Sequence, residues 1–137
     1  MTETEVIQYI PQRPPFVMID EVTKADDTIS QTSFTVRKGH LFVENGQLTE
    51  PGLVENMAQT AAAGTGYKAH KSGQQPQVGY IGALKNLVIY ELPKTGDTII
   101  TEINFIHQVM NAHIVQGRIL KDEREIASCE LKIFLQQ

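Results

Sequence analysis

The sequence predicts an α+β fold in which a curved antiparallel sheet wraps around one long central helix. Two patterns and one limit support this. From Gly52 to about Lys71, apolar and small residues recur at helical spacing but cover more than one face, so the helix must be enclosed. The segments after it alternate apolar and polar residues, as half-buried antiparallel strands do. At 137 residues, with 41% hydrophobic and 20% charged side chains, the chain suits a single folded domain, 1–137, without a separate cofactor domain.

Each element has its own signal. Ile10-Pro11-Gln12-Arg13-Pro14-Pro15 is not helix interior, because its prolines remove amide donors and fix φ. Phe16 to Val22 reads as a strand ending at the turn Asp26-Asp27, and Ile29 to Val36 as a second strand forming a hairpin with it. Residues 39–49 read as a loop. Thr49 stands at an N-cap position ahead of Glu50 and Pro51 in a first helical turn.

Leu53, Val54, Met57, Ala58, Ala61, Ala62 and Ala63 fill the helix, and its small residues allow a sheet backbone to approach. Lys71-Ser72-Gly73-Gln74-Gln75-Pro76 ends it. Four strands follow. The first runs from Val78 to Tyr90 and is closed by Leu92 to Asp97. The second, residues 98–109, puts Ile99, Thr101, Ile103, Phe105 and Val109 on one face. Ala112 to Leu120 is the third. The fourth sets Ala127, Cys129, Leu131 and Ile133 against Ser128, Glu130 and Lys132.

Composition narrows the function. A net charge of −4 gives no basic footprint, so neither nucleic acid nor an anionic membrane is an expected partner. No apolar run approaches the ~20 residues a membrane span needs. The acidic start Met1-Thr2-Glu3-Thr4-Glu5 does not look like a signal peptide, and a single Cys129 fits a reducing, cytoplasmic setting. Gly64-Thr65-Gly66 lies inside the helix, so it is no dinucleotide loop, and no Cys/His spacing suggests a metal. No cofactor is expected.

The chemical signal is Glu55-Asn56-Met57-Ala58-Gln59. A carboxylate one turn into an enclosed apolar helix is costly unless it is paired or used. Gln59, four residues on, lies on the same face and is placed to hold it by a hydrogen bond. On an exposed helix the same acid would be a simple complement to the macrodipole.

Four segments in order resemble the 3-hydroxyacyl-acyl-carrier-protein dehydratases. They are Tyr9 to Val22, Pro51-Gly52 with Glu55 to Gln59, Tyr80 to Asn86, and Pro93-Lys94-Thr95-Gly96-Asp97. The resemblance implies a hotdog fold, a homodimer or higher oligomer, and an acyl thioester substrate on acyl carrier protein or coenzyme A. It implies Glu55 as the catalytic carboxylic acid, working with a histidine base. Helix-start amides near Gly52 and Leu53 would hold the thioester oxygen, with Gln59 and Asn45 as further substrate-binding residues.

The family's histidine segment is altered here. In Lys38 to Gln47, Gly39-His40 keeps the dipeptide and lies one residue further from Glu55. Aligning Phe42 with the family's aromatic instead puts Asn45 in the histidine's place. Residue type and spacing favour His40. Among the other histidines, His107 suits a core or interface, His70 lies at a helix end, and His113 shares a face with Val115 and Ile119. Three functions follow: a dehydratase using Glu55 and His40, a thioesterase using Glu55 with Asn45, or a non-catalytic acyl-binding subunit paired with an active homologue.

Overall fold

Helix α1, Glu50–Lys71, is the element on which the rest packs. Pro51 occupies the first turn, where a missing N–H breaks no helical bond. Thr49 has the extended backbone of an N-cap, but its hydroxyl donates to the Phe42 carbonyl at 2.9 Å instead of capping the helix. The Leu53 amide donates to the Thr49 carbonyl at 3.0 Å and opens the helical ladder. Lys68, His70 and Lys71 complement the dipole at the other end. Gly73, at φ 73°, closes it with its amide on the His70 carbonyl.

The structure is a computed structural model that describes residues 6–74 and 79–135. The expected features at Met1 to Glu5, at Gln75-Pro76 and at Val78 lie outside the described residues. Strands β1 (Glu21–Ala25), β2 (Ile29–Thr35), β5 (Gly79–Ile89), β6 (Thr98–Val109), β7 (Ala112–Lys121) and β8 (Arg124–Leu135) form one sheet. Its order is β1-β2-β6-β7-β8-β5, with every neighbouring pair antiparallel. Strands β3 (Val43–Glu44) and β4 (Gln47–Leu48) make a separate small hairpin. The sheet curls around α1, which is the hotdog arrangement. No helix among the described residues is long and apolar enough to cross a membrane.

Two apolar clusters enclose α1. On the sheet side, Leu53, Met57 and Ala61 pack with Phe34, Ile99, Ile103, Ile119 and Leu131. Each large side chain sealed there contributes roughly 1.5–3 kcal/mol. Cys129 belongs to this cluster. Its Sγ lies 3.8 Å from the Met57 Sδ, and burial pushes its thiol up to about 11. On the other side, Val6, Tyr9, Ile10, Val17 and Ile19 cover Ala63. A Cβ at Gly66 would sit 1.8 Å from the Tyr9 carbonyl oxygen, so only glycine admits this crossing. The small residues of α1 thus admit the N-terminal segment as well as the sheet.

Three expectations are corrected. Phe16 to Asp20 is not strand; β1 begins at Glu21. The backbone groups of residues 16–18 pair with side chains of α1 and with His40 rather than with a strand. Residues 39–49 are more than a loop. They hold the β3–β4 hairpin, whose turn residues Asn45 and Gly46 both have positive φ, 53° and 76°. Finally, β6 is exposed on both faces from Ile106 to Val109, beyond the register shift between Phe105 and His107, so His107 is not a core residue of the single chain.

Candidate active site

Glu55, Ala58, Ala62 and Thr65 are spaced three, four and three residues apart, which puts them on one stripe of α1. Neither apolar cluster seals that stripe, and a cleft of about 340 Å³ opens along it. Gly79, Tyr80 and Ile81 at the start of β5 form another wall, with Phe105, His113 and Ile133 from the neighbouring strands, and Pro11 and Gln12 close it. From Glu55 to Thr65 the helix rises about 15 Å.

Glu55 is half-buried, and Gln59 positions it. The Gln59 amide is fully committed. Its Oε1 accepts the Met18 N–H at 2.7 Å, while its Nε2 donates to the Phe16 carbonyl at 2.8 Å and to Glu55 Oε1 at 2.9 Å. The two backbone partners fix which end of the amide is oxygen, so Glu55 meets a donor that cannot turn away. Its other oxygen takes no hydrogen bond from the described residues. A carboxyl group tethered by one oxygen beside an apolar cleft can give or take a proton at the other.

His40 lies on the far side of the same irregular segment. Its Nδ1 accepts the Phe42 amide N–H at 3.2 Å, which leaves the ring proton on Nε2, directed at the Val17 carbonyl at 3.1 Å. The ring also packs edge-on to Phe34. His40 lines a smaller cleft with Pro14, Pro15, Val17 and Arg37, not the Glu55 cleft. One chain therefore does not bring Glu55 and His40 to a common cavity.

The remaining sequence candidates are placed as follows. Asn45 is exposed at the hairpin tip and does not line the Glu55 cleft. Gly52 is buried, and a Cβ there would lie 2.8 Å from Leu48 Cδ1 and 2.9 Å from Phe42 Cβ. Its missing side chain lets the β3–β4 hairpin pack on the helix start. Leu53 is fully buried in the core. Its amide serves the Thr49 carbonyl, which leaves the Gly52 N–H among the first-turn donors without an intrahelical partner.

The model of the ApeP-like family, described as ApeP dehydratase, matches residues 4–137. The chain belongs to the ApeP-like dehydratases. It is 25% identical to the 3-hydroxyacyl-[acyl-carrier-protein] dehydratase FabZ of Enterococcus faecalis over 98% of each chain. Against the FabZ of Rhizobium etli it is 31% identical over 70% of this chain and 64% of that one. Its fold is similar to that in the dehydratase heterocomplex ApeI:P from Xenorhabdus doucetiae, with a TM-score of 0.89, 19% identity, and coverage of 96% of this chain and 91% of that one.

Two residues of this ApeP-like dehydratase were given no site role by the sequence. Asn56, beside Glu55, is fully buried. It donates to the Met18 carbonyl at 2.8 Å and accepts from the Thr101 hydroxyl, locking the irregular segment to the helix and to β6. His113 lines the Glu55 cleft, with its ring edge-on to Phe105 at 5.8 Å. Burial holds its pKa below the usual histidine value, and the Lys68 charge adds to this. Its period-two position on β7 was visible in the sequence; its place in this cavity depends on the sheet order.

Proposed function

We propose that this protein eliminates water from 3-hydroxyacyl thioesters carried on acyl carrier protein, giving the trans-2-enoyl thioester, with Glu55 as the acid. A base takes the Cα proton, the freed electron pair forms the new double bond, and the C3–O bond breaks. The departing hydroxyl takes a proton from the Glu55 carboxyl and leaves as water. Charge that builds on the thioester oxygen is met by a first-turn amide of α1, for which Gly52 is the candidate. The observation that carries this reading is the Glu55 carboxyl, held by Gln59 on the open stripe of an otherwise enclosed helix, in a member of a dehydratase family.

A specific observation favours a second form of the same reading. Both ring nitrogens of His40 are occupied by backbone groups, and His40 lines a cleft separate from that of Glu55. A dehydratase that uses both needs a second chain to bring a base to Glu55. Strand β5 offers the means: it ends the sheet, runs for 11 residues, and exposes Tyr80, Leu84 and Val88. We infer that chains pair through this edge, as two copies or with an active homologue. Within one chain Asn45 stands at the exposed hairpin tip, outside the Glu55 cleft, so the single-chain geometry gives the thioesterase reading no support. The sealed Cys129 suits a cytoplasmic setting.

Incubation with 3-hydroxyacyl-acyl carrier protein, following both enoyl product and free acid, tests these readings. Enoyl product from the protein alone supports the self-paired dehydratase. Product that appears only on mixing with a second dehydratase chain supports the mixed pair. Free acid without enoyl product overturns both.

A further inference from the structure

We propose that Phe105 and His113 form the end wall of the Glu55 cleft and set the length of the acyl chain it takes. The inference deepens the dehydratase reading and rests on its acyl thioester, not on the elimination step. Glu55 stands at one end of the helix stripe that borders the cleft, and Thr65 at the other. At the Thr65 end a second cavity, of about 310 Å³, begins. Thr65, Phe105 and His113 line both spaces, and side chains that border two cavities stand between them.

The wall is held in place from both sides. The Phe105 and His113 rings come from the neighbouring strands β6 and β7 and pack edge-on, 5.8 Å between centroids. The Phe105 amide donates to the Thr28 carbonyl at 2.9 Å, which ties the backbone under that ring to the turn before β2. On α1, the Thr65 hydroxyl bonds back to the Ala61 carbonyl at 3.4 Å and is satisfied within its own helix.

The two spaces also differ in chemistry. On the Glu55 side, Ala58, Ala62, Ile81 and Ile133 supply apolar surface. Beyond the rings, the lining includes His107, Gln108 and the ion pair of Lys68 with Asp27 at 3.1 Å. An alkyl chain gains by covering the first surface and not the second. With its C3 atom at Glu55, the chain runs along the stripe toward the rings. An extended chain advances about 1.2 Å per bond against a helix rise of about 15 Å, so chains of about 12 to 14 carbons fill the cleft.

The test measures binding of saturated acyl-acyl carrier proteins from six to eighteen carbons. These ligands have no hydroxyl to lose, so Glu55 stays unaltered. Affinity should rise about tenfold for each two added carbons, then stop rising near the length that fills the cleft. Phe105→Ala and His113→Ala should each move that break to longer chains by about two carbons, because the truncated ring leaves space behind. Both should leave affinity for the six-carbon ligand unchanged. Ala62→Leu adds bulk ahead of the wall and should move the break to shorter chains. A gain for long chains cannot come from a protein that fails to fold.

A break that stays in place in both truncated variants overturns the inference, even where Ala62→Leu shifts it. So does affinity that climbs without a break to eighteen carbons, or no binding of any chain. Turnover of the 3-hydroxyacyl forms is measured separately. A protein that makes no enoyl product, yet whose break follows the two rings, would refute the dehydratase reading and leave the wall standing.

Discussion

The stripe of α1 along the cleft and the side that faces the sheet belong to one helix but treat polar groups in opposite ways. Toward the sheet, Asn56 and Thr60 are sealed and each of their side-chain polar atoms is hydrogen-bonded within the fold. Along the cleft, the very next residue, Glu55, keeps one oxygen without a partner among the described residues. The lesson is that buried polarity by itself says little about function. What separates an anchor from a working group is whether the protein completes its hydrogen bonding.

This contrast is best broken at its working end. Glu55→Gln removes the proton donor but keeps the shape and the neighbour to Gln59. We expect enoyl formation to fall by about 10²–10⁴-fold while unfolding stability changes by less than ~1 kcal/mol. Steady-state turnover and urea unfolding on the same preparation check it, and undiminished turnover removes Glu55 from the mechanism.

The anchor should respond the other way. Asn56→Leu strands the Met18 carbonyl and the Thr101 hydroxyl in the core, at about 2–4 kcal/mol of stability by urea unfolding. A loss below ~0.5 kcal/mol would show that this network does not hold the irregular segment.

Asn45 sharpens the comparison from outside the cleft. It occupies the left-handed region at the hairpin tip, so Asn45→Val should cost about 1–2 kcal/mol and leave turnover intact. Slowed turnover in a fully folded variant would return Asn45 to the site.

The smallest effect expected is at His113. Its folded pKa lies below the ordinary value, so as pH falls below about 6.5 the unfolded chain takes up the proton first. Stability from this group is therefore complete above that pH and is lost as pH drops toward the folded value. His113→Gln should flatten the dependence between about pH 7.5 and pH 5.5 in matched urea titrations.

Much of the fold could be read from one-dimensional pattern. The enclosed helix followed from small and apolar residues on too many faces, and β8 followed from Ala127, Cys129, Leu131 and Ile133, all of which are buried. The four-residue spacing of Glu55 and Gln59 correctly anticipated their hydrogen bond. Phe16 to Asp20 has a strand's apolar spacing, but the Phe16 and Met18 carbonyls and the Met18 amide pair with side chains that lie far along the chain. Asn45-Gly46 carried a turn signal that was passed over because the flanking strands are only two residues long. His107 shares the spacing of the buried face, but β6 outruns its cover and is open on both faces from Ile106 to Val109, which alternation alone does not reveal. Cavities are harder still: His113 and Gln12 meet Glu55's cleft only because the sheet order and the N-terminal crossing bring three distant stretches together.

The sealed sulfur of Cys129 has a practical consequence. It is the chain's only cysteine, its thiol stays protonated at neutral pH, and no reagent reaches it in the folded state. A Met110→Cys substitution, at the fully open tip between β6 and β7, would therefore take up a maleimide dye alone. With no background to delete, energy transfer between two differently tagged copies would report directly on whether, and with what spacing, chains come together.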